Sequence, residues 1–329
     1  MKHIATLLKI SSIALLTLFV FSCHSDDDNN VPDRTVYELL SDNAELSTFK
    51  AAVDRIPELR ELLNDEGGVI PSFSGSLTVF APTNAAFDAF LPTVGAATID
   101  DVSLTDLAIY LANHITQDET DSNTMETETM GYLTTFGNIS MFFNASGSTI
   151  ALNGNAGIVK SDLRATNGIV HTTNAIIQIP TLTTFMNVNP DFGTMRDALL
   201  MTEAQAGSPI NNELSTFTQY TVFVPTNNAF DSLYDEVGIG DISDINPVTL
   251  EDIIEAHIIK NHNITAANIG DAVGGILFTF GAALDVNVDA AGNYTLTDPQ
   301  DRPAATVIRT DVRAANGIIH IIDKVLLPL

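Results

Sequence analysis

The sequence predicts two tandem copies of one domain in which helices and strands are mixed. The first observation is a repeated stretch: TVFAPTNAAFDAF, from Thr78 to Phe90, returns as TVFVPTNNAFDSL, from Thr221 to Leu233. The second is that apolar residues recur at helical spacing in the middle of each copy. The third is that strand-like segments close each copy around an Asn-Gly pair. Such a repeat marks duplicated structure, so we expect two globular units.

Two offsets align the copies and set their bounds. The segment from Thr78 to His114 recurs 143 positions later, and DLRATNGIVH recurs as DVRAANGIIH 149 positions later. Copy 1 is therefore predicted to cover residues 34–180 and copy 2 residues 181–329, with almost no linker between them. Such close abutment predicts a fixed or nearly fixed pair.

The tripeptide Pro-Thr-Asn marks a change from strand to helix in both copies. TVFA is rich in β-branched and aromatic residues and stops at Pro82, which is typical of a short strand. Thr83 or Asn84 is then expected to cap a helix, as are Thr226 and Asn227 in copy 2. An exposed Asn at such a place could also contact a partner, so all four are candidate binding residues.

The middle of each copy is predicted to be helical. Apolar residues recur at helical spacing over 104–115 and 250–258. His114 and His257 fall on the apolar side of these helices. A recognition role and a buried hydrogen-bonding role are both open for them, and their placement favours the buried role.

A β-hairpin is predicted to close each copy, with Asn-Gly as its two-residue turn. Counting back along the strands from that turn places Arg164 opposite His171, and Arg313 opposite His320. A facing cation disfavours a charged imidazole, so we expect both histidines to be neutral hydrogen-bonding groups.

One acidic stretch resembles the start of a calcium loop. Asp285, Asn287 and Asp289 have the right spacing, but Ala290 replaces the required glycine and Leu296 replaces the bidentate acid. A plain hairpin is therefore expected there, and no metal site.

The N-terminus differs in kind from the rest of the chain. The basic start MKHIATLLK and the apolar run ISSIALLTLFVF, which is too short to span a bilayer, predict a signal peptide over residues 1–22. VFSC resembles the lipobox of bacterial lipoproteins, so Cys23, the only cysteine in the chain, is the predicted lipid anchor. Cleavage elsewhere and an uncleaved anchor are the alternatives.

An acidic tether is predicted between the anchor and copy 1, over residues 23–33. HSDDDNNVPD holds too little apolar surface to fold by itself. Its SDDD resembles the export signal that sends some Gram-negative lipoproteins to the cell exterior, and a plain spacer is the alternative. The expected location is the outer membrane, lipid-anchored and facing outward.

Composition excludes several functions. The 41 acidic residues against 14 Lys and Arg give a formal net charge of -27, which repels nucleic acid and anionic membrane surfaces. We therefore expect no nucleic acid partner, and membrane contact only through the lipid. G-x-S-x-G, H-E-x-x-H, the P-loop and G-x-G-x-x-G are all absent, and one cysteine supports no disulfide or zinc cluster within a chain. No enzyme activity and no cofactor are expected.

The strand TVFAPTN, the helix ending in His and the closing NGIVH or NGIIHIIDKVLLP together resemble the fasciclin domain, twice in order. The resemblance implies an α+β fold, with a β-sandwich-like wedge beside a cluster of helices in each of two tandem domains. It departs from the family at Asn113 and Ala256, where a Tyr often precedes the helical His, so adhesion ascribed to that Tyr-His pair is not carried over. Copy 1 also has Asn174 where the family usually has Asp, which copy 2 keeps as Asp323.

The resemblance also implies extracellular adhesion through weak protein or glycan contacts. The expected function is a cell-surface lipoprotein that binds an extracellular protein or polysaccharide ligand. The alternative is a glycan-capture accessory of an outer-membrane nutrient uptake system, which the absence of Trp and the presence of only six Tyr disfavour. Besides the anchor Cys23, the candidate binding or structural residues are Thr83, Asn84, His114, His171, Thr226, Asn227, His257 and His320.

Overall fold

The computed structural model describes most of the chain after the tether, namely residues 33–65, 75–206, 208–216, 218–300 and 302–328. The predicted signal peptide, the predicted anchor Cys23 and residues 24–32 of the predicted tether lie outside the described residues. In the part that is described, no helix has the length and apolar character needed to cross a bilayer.

The first half of the described chain, which we call domain 1, contains six α-helices and seven strands. Its helices are α1 (Val36–Asp42), α2 (Ser47–Asp54), α3 (Pro57–Asn64), α4 (Asn84–Phe90), α5 (Leu104–Asn113) and α6 (Ser122–Glu128). Its strands are β1 (Leu77–Pro82), β2 (Ile115–Thr116), β3 (Met130–Thr134), β4 (Ser140–Ser146), β5 (Thr149–Leu152), β6 (Ala156–Ala165) and β7 (Gly168–Thr173).

The second half, domain 2, repeats this inventory over its described residues. Its helices are α7 (Leu182–Val188), α8 (Gly193–Ala206), α9 (Ile210–Glu213), α10 (Asn227–Val237), α11 (Pro247–Ala256) and α12 (Ala266–Asp271). Its strands are β8 (Tyr220–Pro225), β9 (Ile258–Lys260), β10 (Ile276–Phe278), β11 (Ala283–Val288), β12 (Tyr294–Thr297), β13 (Ala305–Ala314) and β14 (Gly317–Ile322).

Each domain builds one seven-stranded sheet with the same strand order. The order is β2-β1-β7-β6-β5-β4-β3 in domain 1 and β9-β8-β14-β13-β12-β11-β10 in domain 2. The central pairs β1 with β7 and β8 with β14 are parallel, and the other pairs are antiparallel. An isolated bridge between Thr116 and Thr135 curls the sheet of domain 1 toward a barrel. The predicted α+β class is confirmed.

The central strands are buried on both faces, because helices pack on one side and the curled sheet on the other. Every residue of β1, β7, β8 and β14 is buried. This accounts for their unbroken apolar and threonine-rich sequence, which lacks the alternation of a strand with one solvated face.

The predicted middle helices are confirmed, but they end earlier than the apolar pattern does. Ile115 and Ile258, the last apolar residues of that pattern, begin β2 and β9 instead. The cause is the histidine before each isoleucine: the carbonyl of His114 accepts a hydrogen bond from Phe80 N, at 2.9 Å. A carbonyl engaged by a neighbouring strand cannot continue the helix, and burial persists across the change.

The closing hairpin is confirmed, but its predicted register is wrong. Arg164 pairs with Ile169 and does not face His171, so the turn lies one residue earlier and Gly168 already belongs to β7. The reason is steric: a Cβ on Gly168 would lie 2.3 Å from the carbonyl oxygen of Leu77 on the parallel partner strand. Glycine is required there by close backbone approach and not by a turn.

The same correction applies in domain 2. Arg313 pairs with Ile318 instead of facing His320. A Cβ on Gly317 would lie 2.2 Å from the carbonyl oxygen of Tyr220. The duplicated Asn-Gly therefore marks where the parallel pair of strands begins.

The calcium-like stretch forms the expected plain hairpin, made of β11 and β12. One carboxylate oxygen of Asp289 accepts hydrogen bonds from the backbone N–H groups of Ala291 and Asn293, at 2.8 and 2.9 Å. The side chain that a metal would need is thus occupied within the turn.

The domains are joined by a phenylalanine of domain 1 that lies in the core of domain 2. Phe142, on β4, is 1% exposed and packs in the same cluster as Leu182, Phe185 and Val312 of domain 2. Its cross-strand neighbour Tyr132 stacks edge-on against Phe185, with ring centroids 5.4 Å apart. A core residue shared in this way ties the stability of one domain to the presence of the other.

Polar contacts surround this apolar centre. The Tyr132 hydroxyl accepts a hydrogen bond from the Asn189 side chain at 2.9 Å, and Arg309 lies over the Tyr132 ring while donating to its carbonyl oxygen at 3.2 Å. The backbone N–H of Arg313 donates to the Ser140 hydroxyl at 3.0 Å. Hydrogen bonds and a buried aromatic core together fix one arrangement of the two domains.

Truncation of the shared phenylalanine is expected to weaken both domains at once. Phe142→Ala leaves a cavity in the core of domain 2 and should lower the free energy of unfolding by about 3–5 kcal/mol. Chemical denaturation followed by circular dichroism should show one transition at a lower midpoint. The matched control Phe278→Ala, at an exposed position, should change the midpoint little. Two separate transitions of which only one moves would contradict the shared core.

Candidate functional site

The two helical histidines occupy identical buried positions at the C-terminal ends of α5 and α11. Nδ1 of His114 donates to the Tyr110 carbonyl at 2.7 Å, and its Nε2 accepts from Ile177 N at 2.9 Å. Nδ1 of His257 contacts the Ile253 carbonyl at 2.7 Å, and its Nε2 accepts from Leu326 N at 2.9 Å. Each imidazole thus ties its helix to the segment that leaves the domain.

Burial keeps these rings neutral. Loss of solvent lowers the pKa of His114 to about 4, and that of His257 to about 4 as well, despite the favourable carbonyl contact at each ring. With one nitrogen donating and the other accepting, the neutral ring is fully satisfied. These residues are predicted site residues that the structure places in the interior, away from any ligand.

The two strand histidines form a second repeated pair. Nε2 of His171 donates to the Thr120 carbonyl at 2.9 Å, and Nε2 of His320 donates to the Ile264 carbonyl at 2.7 Å. Burial lowers the pKa of both rings. The expected neutral state is supported, but its main cause is burial, and the charge of Arg313 adds only a smaller contribution at His320.

Each strand histidine also supports a bulged aspartate. Asp162 and Asp311 adopt positive φ values of 62° and 58° where the β6–β7 and β13–β14 registers shift. Asp162 N donates to Nδ1 of His171 at 3.3 Å, and the Asp162 carboxylate accepts from Ser122 N at 2.9 Å at the start of α6. The DLR and DVR motifs therefore hold a bulge against a helix N-terminus.

The asparagines of the Asn-Gly pairs are structural residues that sequence reasoning assigned only to a turn. Oδ1 of Asn167 accepts from Val36 N at 2.8 Å, and its Nδ2 donates to the Leu63 carbonyl at 3.0 Å. Oδ1 of Asn316 accepts from Leu182 N at 2.9 Å in domain 2. Each side chain thus holds the first helix of its domain to the closing hairpin, and the exact recurrence of Asn beside Gly was the signal.

The Pro-Thr-Asn residues cap and connect helices. Thr83 and Thr226 accept hydrogen bonds from Ala86 N and Ala229 N at 3.2 and 3.3 Å, so the threonine is the cap in each domain.

The neighbouring asparagines reach across to another helix. Oδ1 of Asn84 accepts from Thr48 N of α2 at 2.9 Å, and Oδ1 of Asn227 accepts from Thr194 N of α8 at 2.9 Å. These contacts occupy the amides that were candidates for partner binding. The eight candidate side chains thus support the fold of each domain instead of converging on one surface.

An open groove in domain 2 is the principal concave feature left for a ligand. It measures about 410 Å³ and lies between α10, α11 and the last described residues of the chain. Its walls are aliphatic, with a polar rim that includes Asp244, Asn246 and Thr249; the aliphatic residues are Leu233, Val237, Ile239, Ile245, Ile253 and Leu327.

Domain 1 fills the corresponding place with two aromatic rings. Phe90 and Tyr110 stand at the positions of Leu233 and Ile253, and their ring centroids lie 5.0 Å apart, edge to face. The enclosed cavity beside them measures about 10 Å³. The exchange of Phe for Leu and Tyr for Ile between the copies was visible in the sequence, but its consequence requires knowing that both residues face one space.

Chemistry that needs clustered ligands finds no support in the described residues. No group of three or more His, Cys, Asp or Glu side chains among them could hold a metal ion. What remains is a duplicated scaffold with an aliphatic groove on one copy.

A family model for the fasciclin domain matches residues 44–180 and again residues 190–328. The chain belongs to the fasciclin family. The paired domains described above are its two fasciclin domains.

Similar proteins carry fasciclin domains in longer chains. This chain is 27% identical over 259 residues to transforming growth factor-beta-induced protein ig-h3 of Sus scrofa, covering 77% of this chain and 35% of that protein. It is 26% identical over 256 residues to periostin of Homo sapiens, covering 77% of this chain and 28% of periostin. The chain thus spans about a third of the length of these relatives.

A solved fasciclin pair has the same fold. The FAS1 domain pair from the insect cell adhesion molecule fasciclin I aligns with a TM-score of 0.52 and 21% identity, covering 86% of this chain and 98% of that one. The agreement extends across both domains.

The two departures from the family pattern have clear structural outcomes. Asn174 does the work of the usual aspartate, since its Oδ1 accepts from Gly157 N at 2.8 Å, as Asp323 Oδ1 accepts from Thr306 N at 2.6 Å. Asn113 and Ala256, in the place of the usual Tyr, are both buried. Neither fasciclin domain presents a Tyr-His pair to a partner here.

The buried histidines are expected to make stability fall as the pH drops from about 6.5 toward 4. Their pKa is lower in the folded than in the unfolded state, so the unfolded chain binds protons first and gains free energy, by up to about 1.4 kcal/mol per pH unit for each histidine. Urea unfolding at pH 7 and pH 5, in about 0.5 M salt to screen net charge, measures this slope.

His257→Gln should lower stability at pH 7 and reduce the loss between pH 7 and pH 5. His262→Gln, which alters an exposed ring, serves as the control and should keep the wild-type slope. Equal stability at both pH values in the wild type would show that these histidines are not buried in the neutral form.

Proposed function

We propose that this protein is a cell-surface adhesion protein that binds an extracellular protein ligand through its rigid pair of fasciclin domains. The observation that carries the proposal is the groove of domain 2, open where domain 1 is filled. The solved domain pair with the same fold comes from a cell adhesion molecule, which supports the same class of function for this chain. Catalysis is not part of the proposal.

The chemistry of the groove favours a protein ligand with apolar side chains. Aliphatic walls reward burial of apolar surface at roughly 25 cal/mol per Å². No aromatic ring stands among the described residues that line the groove, so it offers no stacking platform for a sugar. This favours protein binding over glycan capture.

Charge narrows the ligand further. The formal net charge of -27 attracts a basic partner and speeds its association, and the exposed Asp244 carboxylate sits at the groove itself. The proposed ligand is therefore a basic extracellular protein that inserts an apolar side chain.

Anchoring follows from the N-terminal sequence. We propose that the chain is cleaved before Cys23, lipidated there and held at the outer membrane facing outward. An acidic tether would keep the domain pair away from the anionic membrane surface, so the acyl chains carry the attachment.

Filling the groove with the residues of domain 1 tests the binding site. The double variant Leu233→Phe and Ile253→Tyr should fold, because domain 1 already accommodates this pair, and should weaken binding at least about tenfold, or 1.4 kcal/mol. Beads coated with the wild-type fragment from Val31 and with the variant are compared on an array of basic and acidic extracellular proteins.

Ile109→Tyr adds a ring to an exposed position of α5 and is the control. It should bind like the wild type. Unchanged binding by a folded, groove-filled variant would rule out the groove as the adhesive site.

Replacement of the lone thiol tests the anchor. Cys23→Ser removes the one cysteine available for acylation, so the protein should leave the outer-membrane fraction and appear in the soluble fraction or the medium. Cell fractionation and immunoblotting measure this, with Ser22→Ala as the control that keeps the thiol. Retention of Cys23→Ser in the envelope would refute lipid anchoring.

A further inference from the structure

The face by which domain 1 contacts domain 2 recurs, uncovered, on domain 2. In domain 1 this face is the outer side of the β3–β4 hairpin, with Tyr132 paired to Phe142 across the strands. The hairpin β10–β11 is its counterpart in strand order, with Ile276 paired to Asp285. We call the outer side of β10–β11 the free hairpin face.

Cross-strand pairing fixes which residues correspond. Leu277 and Leu284 pair inward in domain 2, as Leu133 and Met141 do in domain 1. Their outward neighbours therefore match: Ile276 replaces Tyr132, Asp285 replaces Phe142 and Phe278 replaces Thr134. A slip of one residue would turn the apolar side chains inward, so the match is unambiguous.

The free hairpin face is strongly exposed and apolar. Ile276 is 54% exposed and Phe278 68%, whereas Phe142 at the contact between the domains is 1% exposed. Aromatic and aliphatic side chains standing together in solvent mark an interaction surface.

The receiving surface recurs as well, on domain 1. Domain 2 receives the hairpin with Phe185 of α7 and with Val312 of β13, which is 1% exposed. Since Val36 and Leu182 make the same bond to the clamp asparagines, the counterparts in domain 1 are Leu39 of α1 and Leu163 of β6. Leu163 is 36% exposed, and the nearby Val159 is 52% exposed. We call the side of domain 1 formed by α1 and β6 the free receiving face.

Charge on the two free faces is complementary. Arg309 lies over Tyr132 at the existing contact, and Lys160 holds its place on the free receiving face. The free hairpin face presents the acid Asp285 where Phe142 stands in domain 1. A repeated contact would therefore bring Lys160 toward Asp285. Lys160 already pairs with Glu45, but both side chains are exposed, and such pairs exchange at little cost.

We propose that the free hairpin face of one molecule binds the free receiving face of a second copy of this chain, repeating between molecules the contact that joins the two domains. Each copy then carries one donor and one receiving face. A head-to-tail contact of this kind propagates into rows of molecules or closes into rings. This self-association uses a surface other than the groove, so it stands or falls independently of the proposed adhesive function.

The repulsion of many acidic side chains opposes the contact at low ionic strength. Since the net charge is screened by salt while apolar burial is not, association should strengthen as salt rises from about 0.02 to 0.3 M. Sedimentation velocity on the compact unit Pro32–Leu329 across a hundredfold range of concentration measures this.

Two exposed substitutions separate the proposed contact from other forms of association. Phe278→Ser disables the hairpin face and Leu163→Ser disables the receiving face, so each variant alone should remain monomeric. Mixed together they should form dimers and nothing larger, because one functional face of each kind remains. Val248→Ser, at an exposed position on α11, is the control and should associate like the wild type.

Charge reversal tests the register of the contact. Asp285→Lys and Lys160→Glu should each weaken self-association, and the two changes in one chain should restore it. A wild type that stays monomeric throughout would overturn the proposal. So would association that Phe278→Ser abolishes and Leu163→Ser leaves unchanged, because that pattern indicates pairing between two hairpins.

Discussion

Insertion of one aromatic side chain into the neighbouring domain determines how this molecule behaves as a whole. Phe142 belongs to domain 1 by sequence and to the core of domain 2 by packing. Deletion of either domain would therefore leave a cavity or an exposed aromatic ring in the other. The two domains act as one body, and any ligand meets surfaces whose relative positions are fixed.

The residues repeated most closely between the copies serve the fold. Both helical histidines, both strand histidines and both clamp asparagines have their polar atoms directed at backbone groups in the interior. Burial of so many polar groups is tolerated because each finds a partner. Function is accordingly expected where the copies differ, as at the groove, and not where they agree.

Local physics made much of this structure predictable. The strand, cap and helix at Pro-Thr-Asn follow from β-branched content, a proline and a threonine within a few residues of one another. The α+β class and the duplication followed from motifs recurring in order. Helix ends were less accessible, because Ile115 is apolar and buried whether it continues α5 or begins β2.

Tertiary constraints explain the predictions that failed or were missed. Asn167 and Gly168 carry a strong local turn signal, yet a strand distant in sequence, containing Leu77, decides their conformation. The groove depends on Tyr110 and Ile253 facing equivalent spaces in two domains, which composition does not reveal. Pairwise differences between internal repeats become informative only after the fold assigns each position a neighbourhood.

The rigidity of the domain pair is the central claim, and one distance measurement tests it most directly. The fragment from Val31 contains no cysteine, so Asp88→Cys and Asp231→Cys, at equivalent exposed positions, place one spin label on each domain. Double electron–electron resonance should return a single narrow distance distribution that salt and temperature leave unchanged. A broad distribution, or one that shifts with salt, would contradict the account.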